Sequence, residues 1–188
     1  MIISIGGNQG SGKSTLAKQL AAALNWPRYY MGGLRREAAA KLGLTLAEYN
    51  KLGEDDPASD LKIDEYQKKL GETQDNFIIE GRTSWYFIPH SLKLYLDVSD
   101  DVAAQRIFLA NRKGEDRLMD TVADVLVSIK KRRLSDKKRY RKFFNIDVFD
   151  KKNYDYVIDT TNKTIDEVFD QVYLIINENL VRRSAIDK

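Results

Sequence analysis

The sequence predicts an α/β domain in which helices cover both faces of a parallel five-stranded sheet. Five short runs are rich in β-branched and aromatic residues, helical patterns lie between them, and a glycine-rich stretch separates the first run from the first helix. Strands that alternate with helices form βαβ units, which build parallel sheets. With 188 residues the chain is long enough for one such domain and its core.

The predicted strands and helices follow one another in a regular order. Strands are expected at IISI (2–5), RYYM (28–31), FIIE (77–80), LKLYLDV (92–98) and YDYVID (154–159). Helices are expected where apolar residues recur every three or four positions, at 14–24, 100–109, 120–144 and 165–180. The chain shows neither an internal repeat nor a linker, so one continuous domain is predicted.

Composition excludes several classes of protein. The chain has no cysteine and a single histidine, His90, so we expect neither disulfides nor a zinc site, and we predict a cytoplasmic location. No apolar run reaches the length of a membrane span, and no membrane contact is expected. The formal net charge is only +3, whereas nucleic-acid-binding domains are usually more basic. We expect a monomer without a nucleic-acid partner.

The stretch GNQGSGKST, residues 7–15, matches the phosphate-binding pattern GxxxxGK[ST] between a strand and a helix. Its glycines allow backbone N–H groups to surround a phosphate, and the helix N-terminus adds partial positive charge. Lys13 is expected to reach the terminal phosphates, and Ser14 to coordinate Mg²⁺. The pattern predicts a nucleotide and Mg²⁺ as ligands, and the expected nucleotide contacts are Gly7, Asn8, Gln9, Gly10, Ser11, Gly12, Lys13, Ser14 and Thr15.

Charged residues follow two of the predicted strands. Glu80 ends the third strand, at the sheet edge where α/β folds bind ligands, and it is expected to hold Mg²⁺ through water. Arg82 follows it and can reach a second anion; the alternative for this pair is a structural salt bridge at the strand end. Arg35 and Arg36 stand at the expected start of a helix, where arginine opposes the helix dipole and is better explained by a bound anion.

The helix predicted at 120–144 has one mixed face. Apolar residues flank three charged ones on that face, which consists of Val122, Val125, Ile129, Arg132, Asp136, Arg139 and Phe143. This pattern indicates a helix that leaves the core to cover a polar site and then returns. The alternative is that Asp136 only forms helix-stabilising pairs with Arg132 and Arg139. The sequence alone leaves both readings open.

Six stretches carry a family resemblance: GNQGSGKSTLA, YYMGGLRREA, LGLTLAEYNKL, IIEGR, KLYLDVSDDVAAQRI and RRLSDKKRYRKFF. They span nearly the whole chain and resemble the nucleoside monophosphate kinases, most closely the archaeal-type cytidylate (CMP) kinases. The resemblance implies a P-loop NTPase three-layer fold with a helical monophosphate-binding arm and a lid. The implied parts are a core (1–34, 76–112 and 145–180), the arm (35–75) and the lid (112–144).

The resemblance also implies roles for individual side chains. Arg36 and Arg82 would clamp the phosphate of the acceptor nucleotide. Arg132 and Arg139, with Asp136 between them, would act on the phosphates being transferred. Together with Lys13 these are the expected catalytic residues, and the implied reaction converts CMP or dCMP and ATP to CDP or dCDP.

Two positions limit what the resemblance implies. Bacterial cytidylate kinases have an aspartate suited to the cytosine amino group after the D-G-R motif, whereas this chain has Thr83. If the acceptor is a cytidine nucleotide, we expect the group that accepts a hydrogen bond from the cytosine amino group to come from the arm around Asp60 to Gln67 or from the loop after Arg82. Either Arg106 or Arg112 is expected to face ATP, and extra residues between them leave that choice open.

Rival functions remain at this stage. UMP or AMP is an alternative acceptor, and a kinase acting on a hydroxyl, as in nucleoside or shikimate kinases, would use Glu80 as a base. In a more distant alternative, the basic stretch KKRRLSDKKRYRK contacts RNA in a nucleotide-dependent switch. Two acceptor-side arginines favour a phosphate acceptor, whose oxygen is already anionic and needs no base.

Overall fold

A computed structural model describes residues 1–56, 58–110 and 120–186 of the chain. The strands are β1 (Ile2–Gly7), β2 (Arg28–Tyr30), β3 (Phe77–Glu80), β4 (Leu92–Asp97) and β5 (Tyr156–Asp159). The helices are α1 (Lys13–Leu24), α2 (Met31–Lys41), α3 (Leu46–Leu52), α4 (Ala58–Thr73), α5 (Ser84–Phe87), α6 (Asp100–Leu109), α7 (Val122–Phe144) and α8 (Ile165–Ile186). No helix among these ranges is both long and apolar enough to cross a membrane.

The strands form one parallel sheet in the order β2-β3-β1-β4-β5, which confirms the predicted fold class. β1 is central, and Ile3 lies opposite Ile78 on one side and Leu92 on the other. Because all strands run the same way, their carboxyl ends meet at one edge, and ligands bind at that edge in folds of this kind. The register therefore brings Gly7, Glu80 and Asp97 to a common edge.

Alternation along the strands builds two apolar layers. Successive side chains of a strand point to opposite faces, and the central strand follows this rule. Ile3 and Ile5 belong to a core shared with α1 and α8, whereas Ile2 belongs to a second core shared with α4 and the residue after α5, Ile88. The sheet is thus covered on both faces, as the near-continuous apolar runs of its strands require.

The start of α2 differs from the prediction. Met31 was expected to end a strand, with two glycines in a loop after it, but it begins the helix instead. A Cβ on Gly32 or Gly33 would lie 2.8 or 2.7 Å from the Tyr30 ring, so the glycines allow the first helical turn to pack against that ring. Arg35 consequently lies one turn inside the helix, and the argument that it opposes the dipole at the helix start is wrong.

The two halves of α7 have different surroundings. Val125 and Ile129 pack with α6 in a separate apolar cluster. Asp136 and Arg139 are each 1% exposed, so the helix does leave this cluster to cover a polar region. Phe143 and Phe144 are both half-buried at the end of the helix, and the Phe144 ring meets those of the α5 aromatics Tyr86 and Phe87.

Local signals fix both ends of α7. Thr121 and Asp124 form a capping box, in which each side chain accepts a hydrogen bond from the other residue's backbone N–H. Asn145 ends the helix with a left-handed φ of 56°, a conformation that asparagine tolerates better than most residues. On the surface of the helix, Lys138 forms an ion pair with Glu54 at 2.8 Å and so connects α7 to the residues after α3.

Gly7, at the end of β1, lies so close to β4 that its position has no room for a side chain. A Cβ on Gly7 would lie 2.1 Å from the Leu96 carbonyl oxygen, and the φ of Gly7 is +129°. We expect Gly7→Ala to lower the free energy of unfolding by more than ~3 kcal/mol, because backbone atoms of two strands must separate. Urea unfolding followed by circular dichroism measures this loss.

Gly43→Ala is the matched control for this prediction. Gly43 also has a positive φ of +69°, but nothing lies within 4 Å of a Cβ built there. Its cost should be the conformational strain alone, about 1–2 kcal/mol. Equal losses for the two variants would show that the close approach of Gly7 to β4 does not matter.

Candidate active site

The loop between β1 and α1 has the backbone geometry of an anion site. Gly10 and Gly12 have φ values of 73° and 87°, which other residues rarely adopt. α1 then begins at Lys13 with no acidic residue in its first turn and no side-chain cap on Gly12. The amide groups at this N-terminus and the positive end of the helix dipole therefore favour a bound phosphate.

Asn8 and Ser11 use their side chains inside the loop. The Asn8 amide donates to Asp97 Oδ1 at 2.6 Å and accepts from the Tyr95 hydroxyl at 2.9 Å, which anchors the loop to β4. Ser11 Oγ donates to the Asn8 carbonyl at 2.8 Å, and Lys13 Nζ donates to the same carbonyl. The two side chains thus shape the loop, and Lys13 Nζ lies against its backbone.

Ser14 and Glu80 place hard oxygen atoms side by side. Ser14 Oγ donates to Glu80 Oε2 at 2.7 Å, and Arg28 pairs with the other carboxylate oxygen. Glu80 is 3% exposed, so the carboxylate sits where no bulk water competes. Oxygen donors of this kind suit Mg²⁺, which usually takes one or two protein ligands and fills its other positions with water and phosphate oxygens.

One cavity of about 120 Å³ joins the loop to the helices that precede β3. Among the described residues, nine charged side chains line it, namely the cationic Lys13, Arg35, Arg36, Arg82, Arg132 and Arg139 and the acidic Asp64, Glu80 and Asp136. All six catalytic side chains expected from the sequence are in this set. The excess of cations over acids gives the cavity a positive character that suits a polyanionic ligand.

The nucleotide contacts expected from the sequence divide between the cavity and its surroundings. Gln9, Gly10, Gly12, Lys13 and Ser14 line the cavity, whereas Gly7, Asn8, Ser11 and Thr15 lie outside its lining. A larger cavity of about 540 Å³ adjoins it between α3 and α7. Gln9, Asn50 and Arg132 line both cavities, so the two meet along one side of α7.

Asp136 is the carboxylate around which the arginines are arranged. Its Oδ1 accepts from Arg139 Nη2 at 3.0 Å, and its Oδ2 lies 2.8 Å from Arg82 Nε. Burial by itself would raise the pKa of this carboxyl, but the nearby guanidiniums, Arg82 first among them, outweigh burial and hold the pKa below its usual value. Asp136 therefore stays ionised and fixes the orientation of two guanidiniums.

Arg132 lies near Asp136, as the helix spacing suggested, and its charge helps to lower the pKa of that carboxyl. With the Gln9 amide oriented so that its oxygen faces the guanidiniums, that oxygen accepts from Arg132 Nε at 3.2 Å and from Arg82 Nη2 at 3.1 Å. Gln9 thus connects the phosphate-binding loop to α7. The reading in which Asp136 serves only helix-stabilising pairs is wrong, because Arg82 comes from outside the helix.

Arg35, for which the sequence suggested a bound anion, lines the cavity together with Asn50, which the sequence did not single out. Arg35 is 8% exposed and its Nε donates to Asn50 Oδ1 at 2.7 Å, while Arg139 Nη1 lies 3.4 Å from the same oxygen. Burial, with Arg139 nearby, lowers the pKa of Arg35 to about 10. Arg36, which the sequence did favour, lies against Tyr30 and donates to its hydroxyl and to the Gly32 carbonyl at 3.2 Å.

Asp64 and Gln67 on α4 also line the cavity. Gln67 is 1% exposed, and its Nε2 donates to Thr83 Oγ1 at 3.2 Å and to Asp64 Oδ1 at 3.3 Å. Its carbonyl oxygen accepts from Ser84 Oγ at 2.7 Å. Burial raises the pKa of Asp64 to about 7, although Arg35 and Arg139 oppose this shift. Asp64 and Gln67 are three positions apart and share one face of α4, and this spacing is the signal that the sequence offers for them.

Arg106 lies outside the cavity lining. Its Nη2 donates to the Thr160 carbonyl at 2.7 Å, and Thr160 Oγ1 donates to the Ser11 carbonyl at 3.2 Å. Arg106 therefore holds the segment after β5 against the phosphate-binding loop. The other arginine expected to face ATP, Arg112, lies outside the described residues.

Comparisons with known proteins agree on a family. The family model described as "Cytidylate kinase-like family" matches residues 2–162. A cytidylate kinase from Methanothermobacter thermautotrophicus is 37% identical over 85% of this chain and 95% of its own length. A cytidylate kinase from Methanosphaera stadtmanae is 34% identical over 88% of this chain and 92% of its own length.

Two other similarities say less about this chain, because one is to a much longer protein and the other is to a structure of low sequence identity. An S-adenosylmethionine-dependent nucleotide dehydratase from Lacinutrix mariniflava is 33% identical over 99% of this chain, which corresponds to 37% of that protein. The structure of shikimate kinase from Bacteroides thetaiotaomicron aligns with a TM-score of 0.64 and 16% identity over 94% of this chain and 98% of that one, and supports the fold alone. Given the family match over residues 2–162 and the relatives aligned over most of both chains, this protein belongs to the cytidylate kinase-like family and is a nucleotide kinase.

Proposed function

We propose that the protein transfers the γ-phosphoryl group of ATP, as its Mg²⁺ complex, to the 5′-phosphate of CMP or dCMP. The observation that carries this proposal is the single cavity shared by the phosphate-binding loop and six cationic side chains. Joining two polyanionic substrates requires such a concentration of positive charge, since their phosphates repel each other. The names of the curated relatives support the choice of a cytidine nucleotide as the acceptor.

The donor side of the cavity is the loop Gly7–Thr15. The open N-terminus of α1 and the inward-facing amides bind phosphate oxygens, and Lys13 supplies a mobile charge beside them. Ser14 and Glu80 would hold Mg²⁺, directly and through water respectively. Bound there, the ion would neutralise charge on the donor phosphates.

The acceptor side uses guanidinium groups. Arg36 and Arg82 bind the 5′-phosphate of the monophosphate in the proposed complex, and Arg35 adds a further charge at the same end. Planar guanidiniums form paired, charge-assisted hydrogen bonds with phosphate, which a neutral hydroxyl acceptor would leave unused. Asp136 restrains Arg82, so this clamp is oriented before the substrate arrives.

The lid helix α7 completes the site. Arg132 and Arg139 project from it into the cavity and would contact the transferring phosphoryl group. Closure of such a lid excludes water, which would otherwise accept the phosphoryl group. The attacking oxygen is already anionic, so the residues position and neutralise, and no general base is needed.

Two rival functions are less well supported by the same contacts. A hydroxyl acceptor needs a base, but both oxygens of Glu80 are engaged, one by Ser14 and one by Arg28. An RNA surface would use exposed cations of the basic stretch, such as Lys131 and Arg141, but it gives no role to Arg132 and Arg139, which line the cavity. A phosphate acceptor accounts for both the engaged Glu80 and the arginines in the cavity.

Replacement of Lys13 tests the donor side. We expect Lys13→Ala to leave the melting temperature nearly unchanged and to lower kcat by roughly a hundredfold or more, because its charge matters most in the transition state. Steady-state assays with MgATP and CMP measure this loss. Lys18→Ala, an exposed lysine on the same helix, is the control and should retain normal turnover. Normal turnover in folded Lys13→Ala would refute the assigned role.

A panel of acceptors tests the acceptor side. CMP, dCMP, UMP, AMP, GMP and cytidine are compared in parallel with MgATP. We expect CMP or dCMP to have the highest kcat/KM and cytidine to be inactive, since it lacks the phosphate that the arginines bind. If cytidine turns over as well as CMP, the phosphate-acceptor proposal is wrong.

Replacement of Arg82 tests the clamp itself. Arg82→Ala should lower kcat/KM for CMP roughly thirtyfold or more, equivalent to about 2 kcal/mol. Arg82→Lys keeps a charge for Asp136 and separates lost binding from lost stability, and Arg141→Ala, an exposed arginine on α7, controls for overall charge. Unchanged kinetics for CMP in the folded Arg82 variants would remove Arg82 from the clamp.

A further inference from the structure

Asp64 is an unusual group in this cavity. It is 7% exposed and lies among cationic side chains that would bind phosphate, yet a carboxylate repels phosphate. Asp136, by comparison, is held between two guanidiniums at 2.8 and 3.0 Å. Asp64 needs a different explanation, because its bond partner on the same helix is the neutral Gln67.

The position of Asp64 is fixed by a short chain of hydrogen bonds. Gln67 holds Asp64 through its amide nitrogen and is itself held by Thr83 and Ser84, the residues that follow Arg82. A carboxyl group at a defined place beside a phosphate clamp can recognise the part of a nucleotide that the clamp leaves free. Both the ribose hydroxyls and the base remain, and of these only the base distinguishes one pyrimidine ribonucleotide from another.

We propose that Asp64 recognises the base of the acceptor nucleotide, accepting a hydrogen bond from the exocyclic amino group of cytosine, and that Gln67 is its positioning residue. This inference rests on the function proposed above and names the specificity determinant of the same site. In this proposal Gln67 acts through Asp64, whose carboxyl it holds by a hydrogen bond, and the charges of Arg35 on α2 and Arg139 on α7 act on the same carboxyl.

The chemistry of the two pyrimidines explains how a carboxylate would discriminate. Cytosine presents an amino group at position 4, which donates, whereas uracil presents a carbonyl oxygen there, which only accepts. An ionised Asp64 therefore attracts cytosine and repels the corresponding oxygen of uracil. Discrimination by an unfavourable contact with the wrong ligand is a common source of specificity. An asparagine at the same place can turn its amide to donate and would accept uracil.

Burial of this carboxyl has a cost that fits a functional role. Buried acids with raised pKa values concentrate at functional sites, since their burial is not explained by stability. The charged groups that face Asp64 are Arg35 from α2 and Arg139 from α7, and together they do not offset its desolvation. Hydrogen bonding from a cytosine amino group would favour the ionised form.

The test compares kcat/KM for CMP and UMP in wild type, Asp64→Asn and Glu65→Gln. Glu65 is an exposed acid on the same helix, so its replacement makes the same change in charge away from the cavity. We expect the CMP-to-UMP ratio to fall at least tenfold in Asp64→Asn and to stay constant in Glu65→Gln. Gln67→Met, which removes the support of Asp64, should shift the ratio in the same direction by a smaller factor.

The outcomes separate the two proposals. A wild-type enzyme that uses neither CMP nor dCMP overturns the proposed function and this inference with it. A wild-type enzyme that uses CMP, combined with an unchanged ratio or an equal loss for both substrates in Asp64→Asn, overturns only the assignment of Asp64. A wild-type preference for UMP or AMP likewise refutes the cytosine contact.

Stability against pH gives a second, independent readout. The pKa of Asp64 is raised from 3.8 to about 7 in the folded protein, so the folded state binds an extra proton between these values and stability falls as pH rises through that window. Asp64→Asn removes this loss. Its melting temperature should exceed that of wild type at pH 8 by several degrees and approach it at pH 4, with no such trend in Glu65→Gln. A constant difference across pH would show that Asp64 is not a costly buried acid.

Discussion

The site depends on holding several guanidinium groups close together in a place with little water. Asp136 makes this arrangement possible because each of its carboxylate oxygens faces a guanidinium from a different part of the chain, Arg82 after β3 and Arg139 within α7. A buried charge without an opposite charge nearby is strongly destabilising, so this carboxylate contributes much of what stabilises the two arginines in their places. The same ion pairs fasten the long helix α7 to the edge of the sheet.

The rest of the architecture serves to deliver groups to that edge. The central strand β1 ends at Gly7, whose lack of a side chain lets the loop start against β4, and Asn8 then secures the loop to Asp97. β3 delivers Glu80 to the same edge. Three adjacent parallel strands thus supply the phosphate-binding loop after β1, the buried carboxylate of Glu80 on β3 and, on β4, Asp97, which holds the loop. Because these strands are neighbours, the three parts meet without long connections.

Local patterns in the sequence were enough to predict much of this structure. Strand alternation, helical periodicity and the glycine-lysine pattern depend on neighbouring residues, so they predicted the sheet, the loop before α1 and four of the eight helices in the described residues, namely α1, α6, α7 and α8. The start of α2 was missed because the packing of Gly32 and Gly33 on the Tyr30 ring is a tertiary contact. The bond between Arg35 and Asn50 was missed for the same reason, since it joins two helices whose relative placement no short pattern encodes.

The hydrogen bonds of Gln67 have a consequence for substrate length. One side-chain amide ties Asp64 on α4 to Thr83 and Ser84, immediately after Arg82. On the proposed assignments, the distance between the group that binds the phosphate and the group that binds the base is set by this one rigid connection. The site would then select substrates by the distance between their 5′-phosphate and the hydrogen-bonding edge of their base. The hydrogen-bonding edge of a purine lies farther from its sugar than that of a pyrimidine. A purine nucleotide would therefore be too long for this distance even if its functional groups matched.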